Sequence, residues 1–120
     1  MSGEIQTAYV RRLFLLFACR AASEETEPII EAAVREVYAE LKPDADAGDP
    51  RLCYYAAALA GLHYRRIMAA HAAVSPTYAG AVPANRDDRG PCYTAERIAE
   101  RCRNDCADLL RDEELMLLPV

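Results

Sequence analysis

One helix constrains the fold more than anything else in the chain. Asp49 is a good cap and Pro50 follows it at the first helical position, where a missing N–H does no harm. The stripe Leu52, Ala56, Leu59, His63, Ile67, Ala70, Val74 then holds a helical period for about six turns, with Tyr54, Tyr55 and Tyr64 beside it. Ser75-Pro76 ends the run, because proline disfavours helical geometry in the residue before it. A helix this long and apolar is the central member of a bundle, and the remaining segments must supply its neighbours.

Those segments are helical too. The first predicted helix covers residues 4–22. Its second half is over-apolar, with Leu13, Phe14, Leu16 and Phe17 covering more than one face, so it needs neighbours on more than one side, another copy of the chain among them. The second covers 27–41. Thr26 is the expected cap, Glu27-Pro28 fill the first turn, and Ile30, Ala33, Val34, Val37 and Leu41 form the stripe. Pro43 stops it. The last covers 94–113, with Thr94 as cap and the stripe Ile98, Cys102, Cys106, Leu109 and Leu110. The 120 residues make one domain, an all-α bundle of four to five helices. The expected core is Ile30, Val34, Val37, Leu52, Ala56, Leu59, Ile67, Ile98, Cys102, Cys106 and Leu109.

Between the two long helices lies an excursion, 75–91. Thr77-Tyr78-Ala79 and Ala81-Val82 around Gly80 suit either a short hairpin or a loop, and Asn85 to Pro91 reads as a charged loop. Insertions of this length are uncommon in compact domains without a use. The tail, 115–120, carries Leu115, Met116, Leu117 and Leu118, an unusually apolar end for a chain that has to stay loose in water.

Apolar residues make up 52% of the chain, much of it Ala, with no Trp and only two Phe. That composition implies helices packed close together. The net charge of −5 and the single Lys, Lys42, argue against a phosphate-gripping face. The apolar run Leu13 to Cys19 is far short of the ~20 residues that span a bilayer, and it lacks the marks of a signal peptide. The five cysteines are an odd number without secretory context, and read as reduced cytosolic thiols.

No constellation reaches the level of a catalytic motif. Cys102-x3-Cys106 with His63 and His71 has donors of the type zinc takes, yet both cysteines sit on the core stripe of their helix, where buried thiols are ordinary. His63 lies on an apolar face and reads as a packed residue with one hydrogen bond. Asp44-x-Asp46-x-x-Asp49 lacks the glycine and closing glutamate of a calcium loop. Arg65-Arg66 and Arg97, Arg101, Arg103 alternate with Glu96, Glu100 and Asp105 as solvated ion-pair faces. The expectation is therefore a protein without catalysis, metal or cofactor.

The order of parts resembles a known family. Val-Tyr-Ala-Glu-Leu-Lys-Pro-Asp-Ala-Asp (37–46) closes one helix and Asp49-Pro50-Arg51-Leu52-Cys53 opens an Ala/Tyr helix. Ser-x-Thr-Tyr-Ala-Gly-Ala-Val (75–82) follows, and Ala-Asp-Leu-Leu-Arg-Asp-Glu (107–113) ends the last helix. This resembles the small helical head–tail connector proteins of tailed phages and prophages over residues 25–113. The resemblance implies a non-enzymatic ring subunit joining portal to tail. Its partners would be other copies of itself and the portal and tail proteins, with DNA only as passing cargo and no membrane. Its location would be the bacterial host cytoplasm and the assembled virion. The acidic balance suits a channel through which DNA slides. Candidate contact residues are Tyr78, Val82, Arg86, Arg89, Leu115, Met116, Leu117 and Leu118. The alternative is a small intracellular helical binding or regulatory domain, a dimer in one form.

Overall fold

The computed structural model describes residues 3–74 and 85–111, with side chains for 3–72 and 94–111. The fold is all-α. Its helices are α1 (Thr7–Ala18), α2 (Glu27–Glu40), α3 (Pro50–Val74) and α4 (Asn85–Asp105), followed by a 3-10 turn at Ala107–Leu109. The hairpin or loop expected between the last two helices falls in 75–84, and the apolar tail in 112–120. Both lie outside the described residues.

α3 packs against all three other helices. α1 runs alongside it in the same direction. Gln6 O lies by the Cys53 thiol, Phe17 meets Gly61, and Arg20 reaches the Tyr64 hydroxyl. α2 and α4 run against it. Glu40 pairs with Tyr55 and Glu36 with His63, while Asp105 O meets Arg51 and Glu96 meets Arg66. The core lies where α1, α2 and the first half of α3 converge: Val10, Phe14, Ile30, Val37, Leu52 and Cys106 are its largest fully buried side chains. A smaller cluster of Ala58, Leu62, Ala95 and Ala99 joins α3 to α4.

The helix ends follow from local chemistry. Asp49 caps α3 through the Arg51 N–H, which donates to Oδ1 at 2.9 Å. Arg51 then folds back on Asp49 and across to the Asp108 carboxylate and the Asp105 carbonyl. This guanidinium fixes the end of α4 against the start of α3. Thr26 precedes α2 but does not cap it. Its backbone is already helical, and its hydroxyl accepts from Ser23 N and donates to Ser23 O. α1 stops at Ala18, four residues before the expected end. Cys19 adopts the left-handed conformation at φ 58°, uncommon for a residue other than glycine, and donates its N–H to Leu15 O.

Two boundaries of the last helix differ from expectation. It begins at Asn85, so the expected charged loop 85–91 is its opening turns. Asp87 and Asp88 there favour a helix N-terminus electrostatically, and polarity alone does not distinguish a solvated helix from a loop. The helix also closes at Asp105. The chain then tightens into the 3-10 turn, and Leu110 pairs with Leu41 in an antiparallel bridge, with Lys42 N donating to Leu109 O and Arg111 N to Glu40 O.

The core corrects two further expectations. Ile67 and Ile98 are each 39% exposed. α4 turns Ala95 and Ala99 inward instead of Ile98, because small side chains allow the closer approach to α3, and Cys106 just after it is fully buried. Leu59, Cys102 and Leu109 are half-buried at the edge of the core. Gly61 shows how close that packing is on the other side. A Cβ built there would lie 2.7 Å from Phe17 Cβ.

Candidate interaction surface

Two grooves run along α3, one on each side of α4. The first lies between the end of α1 and α4. It encloses about 360 Å³ and is lined by Leu16, Phe17, Ala58, Ala95 and Ile98, with Cys19, Arg65 and Thr94 at its margins. The helical period of α1 turns Val10, Leu13, Phe14 and Ala18 into the core. Leu15 and Leu16 therefore point outward, 50% and 67% exposed. Ile98 faces Leu16 across the groove from the α4 side.

The polar groups of this groove serve the end of α1. Arg65 Nε donates to Phe17 O at 3.4 Å, and its Nη2 reaches Cys19 Sγ at 3.4 Å. A guanidinium at the last carbonyls of a helix satisfies acceptors that have no intrahelical donor. Arg20 stacks over the Tyr64 ring at 6.0 Å and donates to its hydroxyl. What remains for a partner is an apolar floor with a positive margin.

The second groove is of the opposite character. It encloses about 490 Å³ and is lined by Tyr55, Leu59, Glu96, Arg97, Ala99, Glu100 and Arg103. Its charges are paired across helices. Tyr55 donates to the Glu40 carboxylate at 3.0 Å, and Arg103 Nε donates to the same carboxylate at 3.1 Å. Burial, with Glu40 beside it, holds the Tyr55 hydroxyl well above its ordinary range. His63 Nε2 lies 2.8 Å from Glu36, and Arg66 pairs with Glu96. These pairs tie α2, α3 and α4 together, and they leave little unspent hydrogen-bonding capacity.

Among the described residues the thiols form no cluster with a histidine. Cys106 is fully buried and its Sγ donates to Cys102 O at 3.3 Å. Burial pushes it up to about 11. Cys53 is buried and raised by the same cause, and Cys102 is half-buried and raised. Cys19 is exposed. His63 is bound to Glu36, not to a thiol. Among the described residues, no three His, Cys, Asp or Glu side chains stand where they could hold a metal ion. Among them, too, no helix is long and apolar enough to cross a membrane.

Of the contact residues expected from sequence, Tyr78, Val82, Leu115, Met116, Leu117 and Leu118 lie outside the described residues. Arg86 and Arg89 belong to the first turns of α4, not to a loop. The groove itself includes residues that periodicity does not single out as contacts, Arg65 and Ile98. Leu16 was legible as surplus apolarity on α1. Ile98 was assigned to the core because it fits a helical stripe equally well.

Compared with known protein families, curated proteins and solved structures, the chain finds no significant match.

Proposed function

We propose that this protein is a structural assembly subunit, a member of a phage-like head–tail connector ring that joins portal to tail without catalysis. The observation that carries the reading is the apolar groove between α1 and α4, with Leu16 two-thirds exposed at its edge. Apolar surface on this scale serves a partner more often than solvent. The over-apolar first helix, the acidic balance and the order of elements along residues 25–113 support the same role. The contacts in this reading are the groove, the segment carrying Tyr78 and Val82, Arg86 and Arg89 at the start of α4, and Leu115 to Leu118. The partners are other copies, portal and tail proteins, with DNA as passing cargo, in the host cytoplasm and the virion.

The same groove favours one other reading, a small helical domain that binds a regulatory partner through an apolar helix face. Gene neighbourhood separates the two. Portal and capsid genes beside this one, and co-purification of the chain with that portal protein, are the expected results. A neighbourhood with neither gene removes the connector reading and leaves the binding domain.

A further inference from the structure

We propose that the groove between α1 and α4 receives the C-terminal segment, residues 112–120, of a second copy of the chain. The inference rests on the assembly reading and names its contact. The segment and the groove match in kind. Asp112-Glu113-Glu114 precede Leu115-Met116-Leu117-Leu118. The groove offers Leu16, Phe17 and Ile98 as apolar floor, with Arg65 at its margin. Arg101 lies beside Ile98 on the same stretch of α4, with Glu100 next to it. An acidic stretch followed by four large apolar side chains fits a basic margin followed by an apolar trough.

Chain length decides whose segment it is. Arg111 is held on the α2 side of the molecule, its N–H on Glu40 O and its Nε on Leu41 O. The groove lies on the α1 side, with α4 between. The end of α4 is fixed at Arg51. The segment leaves from Arg111, held at Glu40, which pairs with Tyr55; from that level the groove residues Ala58 and Arg65 stand about 5 and 15 Å along α3, at ~1.5 Å per residue. A fully extended chain advances ~3.3–3.6 Å per residue, so Leu115 lies at most about 14 Å from Arg111 and Leu118 at most about 25 Å. The path must also pass around a helix about 10 Å across. A chain's own segment therefore enters its own groove only near full extension, with Leu115 still outside it. A neighbour's segment has no such limit. The contact is head-to-tail, groove to segment, which closes into a ring when the rotation between copies allows it.

Two variants test this in sedimentation over a concentration series. One ends at Glu114. The other keeps the full chain but carries Leu16→Asp and Ile98→Asp, both at exposed positions. The full chain is expected to self-associate, and each variant alone to lose association by at least about tenfold in midpoint concentration. Mixing the two variants is expected to restore a one-to-one pair, since one keeps the groove and the other the segment. A labelled synthetic peptide of residues 112–120 should bind the truncated chain and not its Leu16→Asp form. Association of the full chain that survives in both variants overturns the proposal and leaves the connector reading standing on another surface. A monomeric full chain whose truncated form binds the peptide also overturns it, because the segment then covers its own groove. So does absence of peptide binding. If truncation unfolds the chain, the groove variant decides: unchanged association sinks the proposal. Portal co-purification reads the connector role independently of every arm.

Discussion

The two halves of α3 share one helical period and one Ala-rich composition, yet they live in different surroundings. From Leu52 to Leu62 nearly every residue is buried, Ala57, Ala58 and Ala60 included, and only Tyr54 is exposed. From Arg66 to Ala72 the helix is exposed apart from Ala69. The apolar stripe runs on through Ile67, but α1 and α2 do not. α1 ends at Ala18, alongside Gly61 and Tyr64. α2 passes His63 at Glu36 and departs. Burial in a helix bundle is thus set by where the partner helices stop, and a period in sequence reports only which side would be buried if a partner were present.

Removing large side chains should break this comparison most sharply. Phe14 is fully buried and meets the Tyr64 ring edge-on at 5.8 Å. Phe14→Ala is expected to destabilise by about 3–5 kcal/mol, and Leu52→Ala by about 2–5 kcal/mol. Ile67→Ala, in the exposed half, should stay below about 1 kcal/mol. Urea unfolding reads all three. Similar midpoints for Ile67→Ala and Leu52→Ala would show that the second half of α3 is covered after all.

Adding volume should give the next largest effect. Gly61 has no room for a Cβ because Phe17 Cβ, C and O all lie within 3.3 Å of it. Gly61→Val should force α1 away from α3 and destabilise by about 1–3 kcal/mol. Gly61→Ala should do less, since alanine recovers up to ~1 kcal/mol of helix propensity. The same change at exposed Ala70, Ala70→Val, has only the weaker propensity of valine to register, within about 0.7 kcal/mol. A thermal melt that ranks Ala70→Val with Gly61→Val would refute the close approach.

The first half of α3 was legible from sequence in its bounds and in the burial of Leu52 and Ala56, and not in how completely it is covered. Asp49-Pro50 marks a helix start by chemistry that acts within three residues, and the stripe of α2 from Ile30 to Leu41 is an ordinary amphipathic pattern. Ala57, Ala58 and Ala60 give no such signal, because alanine is equally at home inside and outside. Ile67 and Ile98 misled for the opposite reason: both fit a stripe, and neither is buried among the described residues. The groove is invisible to periodicity altogether. It depends on α1 ending at Cys19 and on α4 rolling toward its alanines, two tertiary outcomes that no local pattern contains. The expected loop at 85–91 was misread because charged residues suit a solvated helix as well as a loop.

Acid and alkali should loosen the buried end of α3 in different windows. Hydrogen bonds from Arg51 hold Asp49 and Asp108 below the ordinary carboxylate range. Their stabilising effect is complete above the unfolded value of ~3.9 and is lost as pH falls from there through the depressed folded values. Asp49→Asn keeps a capping side chain and removes the titration, so it should flatten the acid limb while changing neutral stability little. Cys106 acts at the other extreme. Its folded thiol titrates at about 11, above the unfolded ~8.5, so its contribution is complete below pH 8.5 and fades as pH climbs toward 11. Cys106→Ala should remove its share of the alkaline decline, leaving those of Cys53, Cys102 and Tyr55, which are raised as well. An acid limb unchanged in Asp49→Asn would shift the effect to other carboxylates.

The smallest effect sharpens the comparison without disturbing the fold. Cys19 is exposed where α1 ends beside the second half of α3, while Cys53 and Cys106 are closed into the first half. Thiolate attack needs both access and deprotonation. Burial denies Cys53 and Cys106 both, raising them as well as covering them. In native buffer, iodoacetamide should modify Cys19 ahead of Cys53 and Cys106, and unfolding stability should be unchanged within about 0.5 kcal/mol, as for an ordinary surface substitution. Cys53 and Cys106 should react only at the rate at which the domain opens, so their modification should slow in step with added stability and accelerate in Gly61→Val. Residue-resolved mass spectrometry follows the three sites in one experiment. Modification of Cys106 as fast as Cys19 would show that the end of α4 detaches from α3 on its own. The Arg51 contacts to Asp105 and Asp108 would then not be what holds it.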